Sequence, residues 1–545
     1  MEHRHFHSAV VYQIYPRSFC DSNGDGIGDI PGIISKLDYL KSLGVGIIWL
    51  SPVYKTPNAD FGYDVADYYS INPEYGTMAD MDRLVDEAKR KGIRIVMDLV
   101  VNHTSDEHEW FQSSIHPESP YRGFYYWRKG RKGNIEPPNN WTSNFGGSAW
   151  TYVPEADAWY LHVFGKKQPD LDWHNPKVLE EVENILRFWL DRGIYGFRCD
   201  VINQIWKDSL KDGKKTIWVC GQEHYLMKEG NHTILHQMYQ DVFSKYDCMT
   251  VGETSYVDFK NARRFTNKEL DMVFQFDTIS SDRFLVPIFK TRFKPRKFKK
   301  TIFNWQRELD WNANFLENHD QPRSIARFGD TKKYYQESAK ELATLLLTLK
   351  GTPFLYQGEE LGMLDYPMFT PKNYQDPVNH YVYGLLRHYH FSEKRSLKLV
   401  HNENRDNART PMQWNTTKNA GFSTSEKTWL PVNPNYEKIN AEIEENDDTS
   451  ILNYYKKLIA LRKENPALLF GDFEPLKTKG SIMAYYRGYE GEMVFVLLNL
   501  TKQVQSLPRK ISTMIGDVLL SNYPHAGLTY KKRLRPYEAL IVKVK

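Results

Sequence analysis

Three acidic residues end three apolar, strand-like runs of the sequence. Asp200 ends GIYGFRCD, Glu253 ends CMTVGE and Asp320 ends NANFLENHD. Carboxylates at the carboxyl ends of strands converge on one mouth of a parallel barrel, where barrel enzymes place their chemistry. One such acid could cap a helix or pair with a base, but three share the same structural register. Because the chain has no phosphate-binding loop and no nucleophilic Ser or Cys motif, this convergence indicates cleavage of glycosidic bonds, which needs an acid and a nucleophilic base.

The size and charge of the chain narrow the class of protein. At 545 residues it is too long for one compact core, so we expect two or three domains. Its 72 basic and 68 acidic residues leave a net charge of only +4, which gives no reason to expect a nucleic acid or a membrane surface as partner. The basic and aromatic run 290–300 is a local exception, which we interpret as the solvated start of a helix.

The lack of a recognisable targeting signal and the spacing of the cysteines predict a cytoplasmic protein. The N-terminal segment has no basic region followed by a long apolar stretch, so it does not resemble a signal peptide. No run of about 18 apolar residues is present to span a membrane. The cysteines at 20, 199, 220 and 248 show no paired spacing, so we expect free thiols in a reducing compartment.

Short apolar runs alternate with longer helical stretches, a pattern typical of a parallel sheet wrapped by helices. The runs that qualify as strands are 9–16, 45–52, 93–103, 195–200, 248–253, 270–277, 313–320 and 352–360. Eight strands are the number that closes a (β/α)8 TIM barrel. Gly44 and Gly92 end the first two helical stretches, where glycine is expected at a helix C-terminus.

The alternation changes in two places. Residues 104–174 are rich in Trp, Tyr, Asn, Gly and Pro, and a segment of this length predicts a subdomain inserted after strand 3 over the barrel mouth. After residue 470, runs such as SIMAYYRGY and EMVFVLLNL predict an antiparallel β domain. The predicted fold class is therefore α/β. We expect a barrel from 1–103 and 175–470, the inserted subdomain at 104–174 and a C-terminal β-sandwich domain at 471–545.

Several short motifs occur in a fixed order along the chain. They are DLVVNH (98–103), GFRCD (196–200), VGET (251–254) and ENHDQPR (317–323), with QPDLDW (168–173), YQGEELGM (356–363) and RDNARTPMQW (405–414) in support. This ordered set resembles the α-amylase superfamily of glycoside hydrolases (family 13) over essentially the whole chain. Together with QEHYLMKEGNH (222–232), it is most similar to the oligo-1,6-glucosidase and α-glucosidase group.

The resemblance implies a retaining mechanism carried by three carboxylates. Asp200 resembles the nucleophile that forms a covalent β-glucosyl-enzyme, and Glu253 resembles the general acid/base. Asp320 resembles a third carboxylate that holds sugar hydroxyls and favours a distorted, oxocarbenium-like ring. Two displacements return the α configuration, with the first two carboxyl groups about 5 Å apart.

The sequence neighbours of these acids predict how their pKa values are set. Arg198 lies two residues before Asp200 and hence on the same strand face. We therefore expect its guanidinium to keep the nucleophile ionised by lowering its pKa. Glu253 has no cation that close in sequence, which leaves room for the raised pKa that an acid catalyst needs.

The resemblance also implies contacts to the sugar. The positions that match substrate-binding positions of the family are Tyr63, His103, Phe164, Gln168, Arg198 and His319. Asp60 and Arg405 resemble an acid and a base that close the glucose pocket in exo-acting members, which release single glucose units from chain ends. Val201 follows the nucleophile, and in this group Val there accompanies α-1,6 activity while Thr accompanies α-1,4 activity. We therefore expect α-1,6 hydrolysis of small oligosaccharides. We also expect the protein to be a monomer.

The loop DSNGDGIGD (21–29) offers oxygen donors at alternate positions. They are Asp21, Asn23, Asp25, the carbonyl of Ile27, and Asp29. Short oxygen donors on a Gly-rich turn suit Ca²⁺, and the segment resembles a structural calcium loop of the glucosidase group. The residue twelve along is Gly32 rather than Glu, which argues against an EF-hand. A solvated turn stays the alternative.

Other chemistry on the same fold is also compatible with these motifs. The alternatives are an α-1,4-glucosidase, a sucrose hydrolase or isomerase, and a hydrolase of phosphorylated disaccharides. The segment FDTISSDR (276–283) partly resembles a stretch that steers product in sucrose isomerases, but its charged motif is incomplete. A non-catalytic homologue of amino-acid transporter heavy subunits would carry a transmembrane helix and lack the catalytic acids, and this sequence has the opposite features.

Overall fold

The computed structural model describes residues 4–216, 219–284, 286–478, 480–524 and 532–544. Its central sheet has eight parallel strands: β1 (Val11–Ile14), β2 (Ile47–Leu50), β3 (Arg94–Leu99), β4 (Gly196–Cys199), β5 (Met249–Glu253), β6 (Met272–Phe274), β7 (Ala313–Asn314) and β8 (Thr352–Tyr356). The strand order is β6-β5-β4-β3-β2-β1-β8-β7, and β6 contacts β7 across the remaining seam. The predicted barrel is therefore confirmed.

Helices connect the strands and cover the sheet. The principal ones are Ile30–Ser35, Leu37–Leu43, Met78–Arg90, Pro176–Asp191, Glu229–Asp241, Phe259–Phe265, Pro295–Glu308, Tyr335–Thr348 and Ile451–Glu464. The first predicted helical stretch divides in two at Lys36. Gly44 (φ 97°) and Gly92 (φ 73°) follow their helices in the left-handed region, where a side chain would be strained.

One predicted strand is much shorter than expected. The run 313–320 pairs only at Ala313–Asn314, so the prediction that Asp320 ends a strand is wrong. The chain turns beyond the ladder because the Asn318 side chain accepts a hydrogen bond from the Asp320 N–H at 2.8 Å. Asp200 and Glu253 lie at strand ends as predicted, directly after β4 and as the last residue of β5.

The segment after β3 contains a small sheet of its own. Its antiparallel strands are Trp127–Arg128, Trp150–Val153 and Ala158–Leu161. An isolated bridge between His103 and Asp170 ties its two ends together. Two helices, Pro377–His388 and Glu393–His401, follow β8. The sequence patterns did not predict this helical segment.

The C-terminal part forms a five-stranded antiparallel sheet. Its strands, in spatial order, are Asp472–Pro475, Ile482–Tyr489, Glu492–Asn499, Ala539–Val544 and Ile515–Ser521, and a small ladder pairs Gln505–Ser506 with Arg533–Leu534. Met483 and Tyr485 join the barrel core, whereas Ile482 and Ala484 pack in a separate C-terminal cluster. Both faces are therefore buried. The exact domain boundaries stay predictions.

The run 290–300 is not simply a solvated helix start. The helix begins within it, at Pro295, but the Lys299 ammonium donates to the Ile482 carbonyl and to Thr478 Oγ1, both at 2.9 Å. Burial lowers the pKa of Lys299. This lysine therefore joins the barrel to the C-terminal sheet.

Two further observations concern the cysteines and the helices. All four cysteines are buried free thiols. None of the helices in the described parts of the chain combines the length and apolarity that crossing a bilayer requires.

Candidate active site

One buried arginine joins three carboxylates at the mouth of the barrel. The Arg198 side chain is only 2% exposed, and it leaves β4 toward this mouth. Its Nη1 lies 2.5 Å from Asp98 Oδ1 and 2.6 Å from Asp200 Oδ1, and its Nη2 bonds Glu253 Oε2. Strands β3, β4 and β5 are neighbours, so parallel pairing places all three acids around one guanidinium. The structure thus brings the two candidate catalytic acids together.

The charges of this group correct the sequence-based account of its pKa values. Burial raises the pKa of Asp200 well above its usual range, and the charges of Glu253 and Asp98 add to that effect, although Arg198 opposes it. Burial likewise raises the pKa of Asp98 to about 6. Arg198 therefore lowers the pKa of Asp200 as predicted, but burial outweighs this effect and the net pKa is raised. Glu253 has no cation close in sequence, but Arg198 reaches it across the strands.

Asp320 has the opposite electrostatic environment. Burial alone would favour its neutral form, but neighbouring positive charges outweigh burial and hold its pKa below the usual range. Arg409 Nη2 lies 2.6 Å and Arg405 Nη1 3.2 Å from Asp320 Oδ1. His319 is also adjacent, but burial lowers its own pKa to about 3, so it is neutral near pH 7. Arg405 and Arg409, together with Arg198, are thus the positive charges that keep Asp320 ionised.

His319 presents one ring nitrogen toward the site. The Gln13 amide nitrogen lies 2.8 Å from His319 Nδ1, which leaves the proton on Nε2. That Nε2 makes no hydrogen bond to the described residues, but it lies 3.4 Å from Asp320 Oδ2. The ring stacks on Tyr63 with centroids 5.2 Å apart and planes 5° from parallel. The imidazole is therefore fixed, with its Nε2 facing the Asp320 carboxylate.

Asp60 and Arg405 meet at the edge of the site, as predicted. Arg405 Nη2 lies 3.4 Å from Asp60 Oδ1. The same guanidinium makes a two-pronged contact to Asp376, with Nε–Oδ2 and Nη2–Oδ1 both 2.7 Å. Gln168 donates to Asp60 Oδ2 at 3.1 Å. Because Asp60 sits on the loop after β2 and Arg405 follows β8, their contact joins two distant parts of the barrel rim.

The remaining predicted contact residues lie close together. His103 Nε2 is 2.9 Å from the Tyr63 carbonyl oxygen, and burial lowers the His103 pKa to about 4, so this ring is neutral. Gln168 donates to the same carbonyl at 3.0 Å. The Phe164 ring lies 5.4 Å from the His103 ring. These side chains therefore pack together around Tyr63.

Val201 has an unusual backbone conformation. Its φ of 36° and ψ of 38° lie in the left-handed region, which is rare for a β-branched residue and costs about 1–3 kcal/mol. Its N–H points toward Glu253 Oε2 at 3.5 Å. Strain of this kind persists only where the surroundings impose it, and here it lies directly between the two candidate catalytic acids.

Several residues of the site were not singled out from the sequence. They are Gln13, Trp49, Asp98, Asp376 and Arg409. Asp98 and Arg409 lie inside motifs already recognised, DLVVNH and RDNARTPMQW, so those motifs could have identified them. Asp376 lies in the helical segment after β8, for which no signal was found. Trp49 donates to Asp98 Oδ2 at 2.9 Å, which fixes that carboxylate.

The 21–29 loop carries side-chain oxygens of the kind that can ligate calcium. Asp21 Oδ1 accepts from the Asn23 N–H at 3.1 Å, Asn23 Oδ1 from Asp25 at 2.9 Å, and Asp25 Oδ1 from Ile27 at 2.8 Å. Asp29 caps the next helix. Among the described residues, no group of three or more His, Cys, Asp or Glu side chains is spaced to hold a metal ion. The donor chemistry fits Ca²⁺, and the site itself stays a prediction.

Comparisons with known proteins agree with the barrel and its motifs. Residues 13–471 match the α-amylase catalytic domain. The chain is 46% identical to the oligo-1,6-glucosidase of Parageobacillus thermoglucosidasius, with 100% of each chain covered.

Solved structures show the same similarity. The trehalose-6-phosphate hydrolase of Bacillus licheniformis superposes with a TM-score of 0.93 at 42% identity, over 99% of this chain and 100% of that one. The isomaltulose synthase of Klebsiella sp. LX3 gives a TM-score of 0.94 at 40% identity, over 99% of both chains. The chain belongs to the α-amylase family of glycoside hydrolases.

Proposed function

We propose that this chain is a retaining, exo-acting α-glucosidase that hydrolyses α-1,6 bonds at the non-reducing ends of isomaltose and short isomalto-oligosaccharides. The observation that carries the proposal is the shared contact of Asp200 and Glu253 with Arg198. Holding two carboxyl groups on one guanidinium suits the separation of about 5–5.5 Å in retaining glycosidases, where no water is accommodated between them.

The proposed reaction has two displacements. Asp200 attacks the anomeric carbon while Glu253 protonates the leaving oxygen, and Glu253 then removes a proton from the water that hydrolyses the covalent intermediate. Asp320, kept anionic by Arg405 and Arg409, would hold the sugar hydroxyls. Its fixed negative charge would also stabilise the positive charge that develops on the sugar ring.

Exo-action is supported by the contact between Asp60 and Arg405. Their side chains lie 3.4 Å apart, and Asp376 holds the arginine from a second side. A polysaccharide chain extending beyond the bound glucose would have to break these contacts. We therefore propose that the pocket accepts one glucose unit at a time.

The α-1,6 preference is supported by Val201 and by the names of the relatives. Val201 directly follows Asp200 in sequence, and its N–H faces Glu253. It therefore lies near the proposed scissile oxygen. Oligo-1,6-glucosidases of 44–47% identity match 98–100% of the chain. A Thr at this position would place a hydroxyl near the bond that is cleaved, whereas Val places a methyl group there.

A phosphorylated sugar is a less favoured substrate because the nearby cations are already paired. Arg283 forms an ion pair with Glu403, and Arg327 Nη2 lies 2.6 Å from Asp282. Lys299 is held by the C-terminal sheet. A phosphate dianion would have to displace an existing acid from Arg283 or Arg327.

We also propose the setting in which the enzyme works. A calcium ion held by the oxygens of Asp21, Asn23, Asp25, Ile27 and Asp29 would stabilise the loop without taking part in catalysis. The buried free thiols favour the cytoplasm. We expect a monomer.

The test is digestion of isomaltotriose, followed by chromatography and by early NMR detection of the released anomer. Glucose plus isomaltose, with α-glucose first, is the expected result. Release of β-glucose would contradict retention, and internal cleavage of starch would contradict the closed pocket. Parallel assays with maltose, sucrose and trehalose 6-phosphate separate the alternatives. Asp200→Asn should lose about 10³-fold or more of the activity.

A further inference from the structure

The turn that follows Glu253 carries a tyrosine in an unfavourable backbone conformation. Tyr256 has a φ of 58°, in the left-handed region that bulky residues rarely adopt. Its side chain is 67% exposed, so packing inside the protein does not compensate for the strain. Within the described parts of the chain, its side chain makes no hydrogen bond, ion pair or ring contact. Backbone strain of this kind clusters at sites that bind ligands, and the exposed ring is the feature that a ligand can use.

The position of Tyr256 places it at the mouth of the barrel. It lies three residues after Glu253, the last residue of β5, and therefore on the face where the carboxyl ends of the strands meet. The neighbouring Ser255 carbonyl accepts a hydrogen bond from Asn203 Nδ2 at 2.8 Å, and Asn203 lies two residues after Val201. The turn is therefore held against the loop that carries Val201.

A second tyrosine shows which side of the mouth Tyr256 occupies. Burial raises the pKa of Tyr225, and the nearby Tyr256 phenol adds to this rise, so the two side chains are neighbours. Tyr225 packs with Trp141 and Trp150 of the inserted segment. Tyr256 thus lies between the loop of Glu253 and the inserted segment over the barrel.

The two ends of the glucose pocket differ in character. The contacts of Arg405 with Asp60 and Asp376 close one end. Glu253 marks the opposite end, because the acid that protonates the leaving oxygen lies beside the leaving group. The sugar that leaves must therefore lie on the side of Glu253 and Tyr256. A flat aromatic ring exposed there can bury the apolar face of a sugar.

We propose that Tyr256 is the platform on which the leaving sugar stacks, so that it favours substrates whose leaving group is a sugar ring over those with a smaller leaving group. This rests on the proposed function, because it requires Glu253 to protonate the leaving oxygen. The strained turn holds the aromatic ring at the place where the leaving sugar binds.

The test compares kcat/KM for isomaltose with kcat/KM for α-glucosyl fluoride, whose leaving group has no ring to stack. Tyr256→Ala should lower the isomaltose value about tenfold and leave the fluoride value within about twofold of the parent. Tyr256→Phe should keep both values, because stacking uses the ring and not the hydroxyl. An isomaltose-to-fluoride ratio within about twofold of the parent in Tyr256→Ala, or a loss in Tyr256→Phe as large as in the alanine variant, would overturn the proposal.

A glycine variant separates the ring from the strained backbone. Glycine adopts the left-handed region without a steric cost, so Tyr256→Gly should lower the ratio as much as Tyr256→Ala does. A ratio that the glycine variant preserves would assign the effect to the backbone and overturn the proposal. The matched control is Tyr389→Ala, at a tyrosine 66% exposed beyond the end of the helix Pro377–His388, which should keep the parent ratio.

The outcomes for the two proposals are separable. If the parent cleaves isomaltose but Tyr256→Ala keeps the ratio, the platform proposal fails and the proposed function stands. If the parent cleaves maltose and not isomaltose, the α-1,6 function fails, and the ratio is then measured with maltose. A maltose-to-fluoride ratio that falls in Tyr256→Ala supports the platform, and an unchanged ratio overturns it.

Discussion

Replacing Arg198 by lysine tests the arrangement of the three carboxylates most sharply among single substitutions. The change keeps the positive charge but replaces a planar fork by a single nitrogen. Arg198 bonds Asp98 and Asp200 through Nη1 and Glu253 through Nη2. One ammonium on a shorter, unforked side chain cannot reach all three acids, so their relative positions should relax.

The expected loss follows from the contacts that the lysine cannot make. A hydrogen bond to a charged group contributes roughly 1.5–3 kcal/mol. Losing the bonds to Asp200 and Glu253 would remove about 3–6 kcal/mol of positioning energy, or roughly 10²- to 10⁴-fold in kcat/KM. The acid limb of the pH profile should also move upward, because the hydrogen bond from Arg198 to Asp200, which the lysine loses, opposes the burial-raised pKa of Asp200.

The assay is kcat/KM for isomaltose between pH 4 and 9, with the melting temperature measured alongside. The matched control is Arg264→Lys, where an arginine forms a comparable two-pronged contact to Glu229 at 2.9 and 2.6 Å but lies at the surface. Exposed pairs contribute about 0–1 kcal/mol, so the control should keep full activity. An Arg198→Lys enzyme within about tenfold of the parent and with an unmoved acid limb would refute the reasoning.

Three further predictions concern linkage, the metal loop and a buried acid. Val201→Thr keeps a β-branched side chain at φ 36°, so the fold should persist while α-1,4 activity rises relative to α-1,6 by about 1–3 kcal/mol; an unmoved maltose-to-isomaltose ratio would place selectivity in the surrounding loops. Chelation should lower the melting temperature more than the rate at moderate temperature, because a bound ion stabilises only the native state; an unchanged melting curve would rule out the metal at Asp21 and its neighbours. Burial raises the pKa of Glu341 to about 8, above an unfolded value of about 4.3, so its effect on stability is most favourable below pH 4 and is lost as the pH rises toward 8. The melting temperature of Glu341→Gln relative to the parent should therefore rise between pH 5 and pH 7, corresponding to about 1.4 kcal/mol per pH unit, and a constant difference would contradict the assignment.

Features set by local patterning could be predicted from the sequence. The eight strands are buried apolar runs, and alternation with helices fixes a parallel sheet. Asp200 and Glu253 were found because a strand end determines where a side chain points. Gly44 was found because a left-handed helix end favours glycine.

Features set by contacts across the fold could not be predicted in this way. The contact of Arg198 with Glu253 spans 55 positions in sequence, and the net pKa of Asp200 depends on burial that no local pattern reports. Asp376 reaches Arg405 from a helix start that carries no motif. Asp320 was placed correctly by its motif but for the wrong structural reason, since the strand stops at Asn314.

The most direct measurement of the central claim is the capture of a covalent glucosyl-enzyme. Glu253→Gln is treated with α-glucosyl fluoride, whose leaving group needs no acid, whereas hydrolysis of the intermediate still needs the missing base. The account predicts that the protein gains the mass of one glucosyl unit and that peptide mapping places it on Asp200. An unmodified protein that still turns over the fluoride, or a glucosyl group on any other residue, would contradict the account.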